Sequence, residues 1–265
     1  MTRVAVVQLD AGHGETKALA DAVDAVERAA DAGAGLVVLP EYASGWAPRL
    51  GPELAVSMDG PFVAALRDAA SRRGVSVVAG IVVPGDGDGA LSANLALAIG
   101  PDGGILGGYT KVHLFDAFGT RESDALVAGV PDAPPLVLDV DDLRFGVLTC
   151  YDLRFPEVAR RLVDAGAQVL VAIAAWASGP GKADQLDVLA RARALENTSY
   201  LLLASQNGTG RAGHSAVVDP LGVVLAQTGE GDDVLVADLD VRQVSEVRER
   251  VPVLRNRRYG VVPRH

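Results

Sequence analysis

The feature that most constrains this chain is an alternation. Short, unbroken, valine-rich apolar runs are separated by longer segments whose apolar residues recur at helical spacing. A strand that faces solvent on one side alternates apolar and polar residues, whereas a strand apolar throughout must bury both faces. Arg3–Leu9 (R-V-A-V-V-Q-L), Leu36–Leu39 and Val169–Ile173 are of the second kind. Mixed sheets covered by helices are therefore expected, and the fold class is α/β.

The helical segments carry their own punctuation. Thr16–Ala32 has the helical period, with Thr16 placed as an N-cap and Gly33 where a left-handed C-terminal glycine belongs. Pro61–Arg73 opens on a proline at its first position and stops at Gly74. Strands Val75–Val83 and Asn94–Ile99 flank the turn-rich Gly85–Gly89, and Leu136–Val140 and Leu143–Thr149 flank Asp141-Asp142 like a hairpin. Helix Pro156–Ala165, strand Val169–Ile173, helix Ala183–Asn197 and strand Tyr200–Ser205 then succeed one another. Ala216–Asp219, Val223–Ala226 and Val234–Leu239 read as a closing β-meander ahead of the charged helix Val241–Arg250. No repeat, linker or shift of composition divides the chain, so one domain over residues 1–265 is expected.

Composition excludes several classes. The net charge is −10, and the three lysines and 21 arginines are scattered, with a dense basic stretch only at Arg255–Arg258. Nucleic acid, which needs a basic face, is not an expected partner. One cysteine cannot form an internal disulfide, which fits a reducing compartment or simply carries no information on compartment. No charged leader with an apolar core opens the chain, and no apolar run approaches the ~20 residues of a membrane span. A soluble, cytoplasmic protein with no membrane partner is the expectation. No Cys/His pair has metal-ligand spacing and no Walker or Rossmann glycine pattern follows a strand, so neither metal nor cofactor is expected.

Open α/β sheets bind ligands beyond the carboxyl ends of their strands, and three such places carry reactive side chains. Leu36–Pro40 is apolar until it delivers Glu41, with Pro40 fixing the exit direction. Lys111 stands in the apolar and aromatic run G-Y-T-K-V-H-L-F (Gly108–Phe115), where an ammonium needs carboxylates to offset desolvation. The strand ending at Thr149 runs into Cys150, a short turn and a helix near Pro156, a layout that lifts a nucleophile out of a sheet. The helix N-terminus there is expected to lower the thiol pKa. Taken singly, each has a plainer reading: a solvated loop glutamate, a lysine snorkelling at an edge, an inert core cysteine.

Three segments, in order, resemble the signature of the nitrilase superfamily of carbon–nitrogen hydrolases. They are L-P-E-Y (Leu39–Tyr42), Y-T-K-V-H-L-F (Tyr109–Phe115) and C-Y-D-L-R-F-P-E (Cys150–Glu157). R-A-R-A-L-E-N (Arg191–Asn197) and G-H-S-A-V-V-D-P (Gly213–Pro220) extend the likeness, which runs from about Val4 to Tyr259. The resemblance implies a four-layer αββα sandwich, a catalytic triad of Glu41, Lys111 and Cys150, and a homodimer or larger assembly. It also implies a second glutamate, for which Glu122 in R-E-S-D is suitably placed, eleven residues after Lys111.

The chemistry implied is covalent acyl transfer. Glu41 would take the thiol proton, Cys150 would attack an amide carbonyl, and Lys111 with the backbone N–H of Tyr151 would hold the oxyanion. C-Y-D-L-R-F-P resembles the amidase-type branches, among them ω-amidase and deaminated-glutathione amidase, rather than true nitrilases, which typically carry Trp-Glu after the cysteine. The chain departs from those amidases over Ala174–Gln185, where Ala175 and Trp176 are expected to line the substrate pocket. A small ω-amide of a keto or dicarboxylic acid is the first expectation for substrate and an N-carbamoyl amine the second. Two alternatives stand beside these. One is a Cys–His enzyme using His113, which reads better as a hydrogen-bonded structural residue. The other is a non-catalytic binding protein that keeps the fold.

Overall fold

The computed structural model describes residues 1–85 and 91–264. Strands β1 (Thr2–Gln8), β2 (Leu36–Val38) and β3 (Ser76–Pro84) lie parallel, and β4 (Ser92–Ile99) and β5 (Ile105–Thr110) continue the sheet antiparallel. Apart from Gly85, the turn expected at Gly85–Gly89 lies outside the described residues. After β5 a small hairpin of β6 (Asp116–Ala117) and β7 (Thr120–Arg121) stands apart, and β8 (Leu126–Val127) returns to pair with β4.

The second sheet has six strands. Its order is β14 (Val224–Gln227), β13 (Ala216–Val218), β12 (Tyr200–Ser205), β11 (Val169–Ala174), β10 (Leu143–Thr149) and β9 (Val137–Val140). The expected hairpin around Asp141-Asp142 joins β9 to β10, with Asp141 at a positive φ of 51°.

The closing meander is corrected. β13 and β14 pair as expected, but β15 (Asp233–Leu239) does not extend that hairpin. It crosses to the first sheet and lies antiparallel to β1 over its whole length, from Thr2↔Leu239 to Gln8↔Asp233. The reason is edge satisfaction. Without β15, β1 would present a long unpaired edge, whereas β14 can end its sheet as a short, exposed strand.

The valine-rich runs bury both faces because the two sheets stack on each other and each is backed by helices. On β1, Val4 and Val6 point between the sheets and pack with Phe145, Val147 and Val171. Ala5 and Val7 point the other way, into a core built with α1 (Glu15–Asp31) and α2 (Pro61–Arg73). Leu148, Leu170 and Ala172 face a third core under α3 (Pro156–Asp164) and α4 (Lys182–Asn197). The result is the expected helix–sheet–sheet–helix order of layers. Helix α5 (Val241–Arg250) and the single turn α6 (Val253–Asn256) follow.

One cap is corrected and one upheld. Helix α1 begins at Glu15 after Gly14, with no side-chain cap, so Thr16 lies inside the first turn. Gly33, at φ 83°, ends it as expected: Gly33 N–H reaches Ala30 and Ala34 N–H reaches Ala29, the paired bonds of a Schellman motif.

Candidate active site

Glu41 is delivered by β2. The ladder continues one residue beyond the strand through Leu39 N–H to Val78, and the chain then turns at Pro40 with Tyr42 at φ 58°. The neighbouring β3 grips the turn from below: Gly80 N–H donates to the Pro40 carbonyl, and the Gly80 carbonyl accepts from Ala43 N–H at 2.7 Å. A β-carbon at Gly80 would stand 2.4 Å from the Glu41 Cα, so this close approach requires glycine. From the end of β12, Gln206 donates to the carbonyls of both Glu41 and Tyr42.

Lys111 follows β5 directly and is held by its own backbone, with N–H to Asn94 and its carbonyl accepting from Gly129. Its side chain is fully buried. The ammonium donates to Glu41 Oε1 at 3.0 Å and to Glu122 Oε1 and Oε2 at 3.0 and 2.8 Å. Burial alone would lower its pKa, but the two carboxylates outweigh burial and push it well above the ordinary lysine value. It stays a cation.

The carboxylates are held as firmly. Glu41 Oε1 also accepts from Asn94 Nδ2 at 2.6 Å, and Oε2 accepts from Ala175 N–H at 2.7 Å. Glu122 also accepts from Tyr42 Oη at 3.0 Å and Phe115 N–H at 2.7 Å. Burial and the nearby carboxylates keep the Tyr42 phenol protonated as that donor.

Cys150 sits at the end of β10 with φ 49°, a left-handed conformation that a non-glycine residue adopts only when its surroundings impose it. A 3₁₀ turn over Cys150–Arg154 follows, and α3 begins only at Pro156. The expected lowering of the thiol pKa is corrected. Burial first, and then the charge of Glu41, push the thiol well above its ordinary value, against the opposing pull of Lys111 and the Ala175 N–H. The resting side chain is a thiol, and it becomes a nucleophile only if a base removes its proton.

Asp152, fully buried, fastens the cysteine turn to the lysine segment. Its Oδ2 accepts from Thr149 N–H and from Tyr109 Oη, while Oδ1 accepts from His113 N–H and lies 2.8 Å from His113 Nδ1. The His113 ring stacks on Phe155 with centroids 3.7 Å apart. His113 is hydrogen-bonded as expected, and it does not line the cavity that holds Cys150, which counts against the Cys–His alternative. His214 pairs with Asp187 beside Gln227, and His265 lies outside the described residues.

Glu41, Glu122, Cys150, Tyr151, Ala175 and Trp176 line one small cavity of about 50 Å³, with Phe115, Arg154, Ala177 and Lys182 at its remaining walls. Every residue expected at the site is there, with Lys111 directly behind the two glutamates. Trp176 is both wall and core: it belongs to the cluster under α4, and its Nε1 donates to the Lys182 carbonyl. A larger groove of about 580 Å³, between Pro131, Arg161 and the tail Gly260–Arg264, does not include Cys150. Among the described residues no group of His, Cys, Asp or Glu side chains is arranged to hold a metal ion.

This arrangement can be compared with known proteins. The carbon–nitrogen hydrolase family model matches residues 3–249. The chain belongs to the carbon–nitrogen hydrolase family. A hydrolase of Mycobacterium tuberculosis is 39% identical over 96% of this chain and 95% of its own length. A deaminated glutathione amidase of Escherichia coli is 37% identical over 77% and 76%. An omega-amidase of Xenopus tropicalis is 33% identical over 98% and 96%. Among solved structures, the NitFhit protein of C. elegans superposes with a TM-score of 0.88 at 32% identity, over 97% of this chain and 65% of that longer one. An amidase of Nesterenkonia sp. superposes with a TM-score of 0.81 at 29% identity, over 97% of this chain and 94% of that one. The latter, a mutant in which a glutamate is replaced by glutamine, shows covalent addition of the acetamide moiety of fluoroacetamide at its active-site cysteine.

Set within this hydrolase family, the site contains residues that sequence reasoning passed over. Asn94 bonds the Glu41 carboxylate, Gln206 bonds the Glu41 carbonyl, Tyr42 bonds the second glutamate Glu122, and Asp152 joins two of the three segments. A signal existed for Asn94, a lone amide within an otherwise apolar strand, and for Gln206, a polar residue at a strand end. Lys182, one of only three lysines, falls in the segment where the chain departs from the amidases.

Proposed function

We propose that this carbon–nitrogen hydrolase is a cysteine-dependent amidase that converts a small ω-amide of a keto or dicarboxylic acid to the free acid and ammonia. The observation that carries this reading is the buried Glu41–Lys111–Glu122 ion cluster opening onto the same cavity as the strained Cys150. An elevated thiol pKa demands an adjacent base, and Glu41 is a carboxylate beside it.

In the first half-reaction the thiol proton passes to Glu41 as Sγ attacks the amide carbon. The oxyanion that forms is met by the Lys111 ammonium and the Tyr151 N–H. Glu41 returns the proton to the departing nitrogen, ammonia leaves, and an acyl thioester remains on Cys150. In the second half-reaction Glu41 takes a proton from water, which attacks the thioester and expels the thiolate. The carboxylic acid departs and Cys150 recovers its proton. Glu122 holds Lys111 in line, and Ala175 N–H keeps Glu41 turned toward the cavity. The names of the relatives, omega-amidase and deaminated glutathione amidase, support an amide over a nitrile.

The same reading takes the chain as one domain that works as a homodimer or larger assembly in a reducing, cytoplasmic setting. Its lone cysteine and its exposed apolar residues on α4 and around β14 support that. No helix among the described residues is long and apolar enough to cross a membrane.

Ammonia release from succinamate, an N-carbamoyl amine and a simple nitrile tests the reading. The expected result is turnover of succinamate that is lost in Cys150→Ala. Turnover of the carbamoyl amine alone would transfer the enzyme to that class, and inertness toward all three would favour a binding protein.

A further inference from the structure

The mouth of the cavity carries two cations that the reaction above does not use. Arg154 comes from the cysteine turn and lies over Trp176, 4.9 Å from the ring centroid. Its Nη2 donates to Gln185 Oε1 at 2.7 Å, while its Nε is buried with no hydrogen-bond partner. Lys182 opens α4, and its Nζ lies 3.4 Å from the centroid of Phe118 and 5.7 Å from that of Phe115. Among the described residues neither cation has a carboxylate within ion-pair distance. Partial burial and the like charge of Arg154 hold the Lys182 pKa below the ordinary lysine range.

Two like charges kept together without an anion cost free energy that solvated surface positions would not incur. Deeper in, two carboxylates surround one ammonium, so the inner site has one negative charge in excess. That excess repels an anionic substrate, and the two cations at the mouth offset it for a substrate whose charge stays at the entrance. A neutral amide would gain nothing from them. The backbone of Lys182 is fixed where it matters, because its carbonyl accepts from Trp176 Nε1 at 3.0 Å. The aromatic faces give the ammonium a resting place that a carboxylate can compete for.

We propose that Lys182 is a specificity-determining residue which, with Arg154, binds the distal carboxylate of a short ω-amide acid while the amide end reaches Cys150. The small cavity limits the chain between the two ends to a few carbons. The inference rests on the amidase reading above and assigns the side chains that select a substrate bearing a free carboxylate.

The test compares kcat/KM for succinamate with that for butyramide, which lacks the carboxylate, in the wild type, Lys182→Met and Lys182→Arg. Wild type is expected to prefer succinamate. Lys182→Met should reduce that preference about tenfold or more, chiefly through KM, as loss of a charge-assisted contact does. Lys182→Arg should restore most of it. Equal use of both amides by the wild type, or a Lys182→Met effect equal on both, overturns the inference and leaves the amidase reading intact. Failure of the wild type on both amides overturns the amidase reading itself and the inference with it.

Discussion

Replacing Lys111 with methionine is expected to lower kcat by about 10²–10³-fold, the usual cost of removing one oxyanion donor from a preorganised site. It is also expected to destabilise the fold by about 3–5 kcal/mol. The second effect follows from the cage. Lys111 is fully buried between Glu41 and Glu122, and both glutamates are themselves buried. Removing the ammonium leaves two carboxylates facing each other in a medium that solvates neither. Arginine should not rescue the variant, because its planar fork cannot occupy a point held at 2.8–3.0 Å from two carboxylates. Urea denaturation alongside steady-state ammonia release separates the two effects. A Lys111→Met protein with wild-type turnover would remove the lysine from the mechanism.

The second large effect is expected from one methyl group that would meet only backbone atoms. Gly80→Ala would place a carbon 2.4 Å from the Glu41 Cα, 2.8 Å from the Pro40 carbonyl oxygen and 2.9 Å from the Tyr42 nitrogen. All three are backbone atoms, so no side-chain rotation relieves the clash and the turn carrying the base must shift. Overpacking of this kind costs about 1–3 kcal/mol, and a displacement near 1 Å in a catalytic group costs about 10²-fold in rate. Both losses should appear together in kcat and in the urea midpoint. Unchanged kcat in Gly80→Ala would mean that the position of Glu41 tolerates movement, contrary to its four fixed neighbours Lys111, Asn94, Ala175 and Gln206.

Much of this site could be read in the sequence because Glu41 and Cys150 each follow a strand that a local pattern reveals. Leu36–Leu39 is unmistakable as a doubly buried run, so the carboxylate after Pro40 had to emerge at a sheet end. Cys150 follows another such run and precedes a proline-started helix. What the pattern did not carry was long-range. The return of β15 to β1 spans nearly the whole chain, and its residues would suit either sheet. Asn94 and Asp152 matter through partners 53 and 39 residues away, and a single polar residue gives no sign of where such a partner lies. The sign of the Cys150 pKa shift was misread for a related reason. A helix N-terminus is visible in sequence, while burial beside Glu41 is a property of the assembled site.

The central claim is that Cys150 carries the acyl group and Glu41 moves its proton. Intact-mass time courses of alkylation by iodoacetamide, for the wild type, Glu41→Gln and Cys150→Ala, test it most directly. The chain has no other cysteine to compete for the label. The account predicts one adduct of acetamide mass on the wild type, mapped to Cys150 by peptide digestion, the same adduct forming much more slowly on Glu41→Gln, and none on Cys150→Ala. Equal rates in the wild type and Glu41→Gln, or the same adduct on Cys150→Ala, would contradict it.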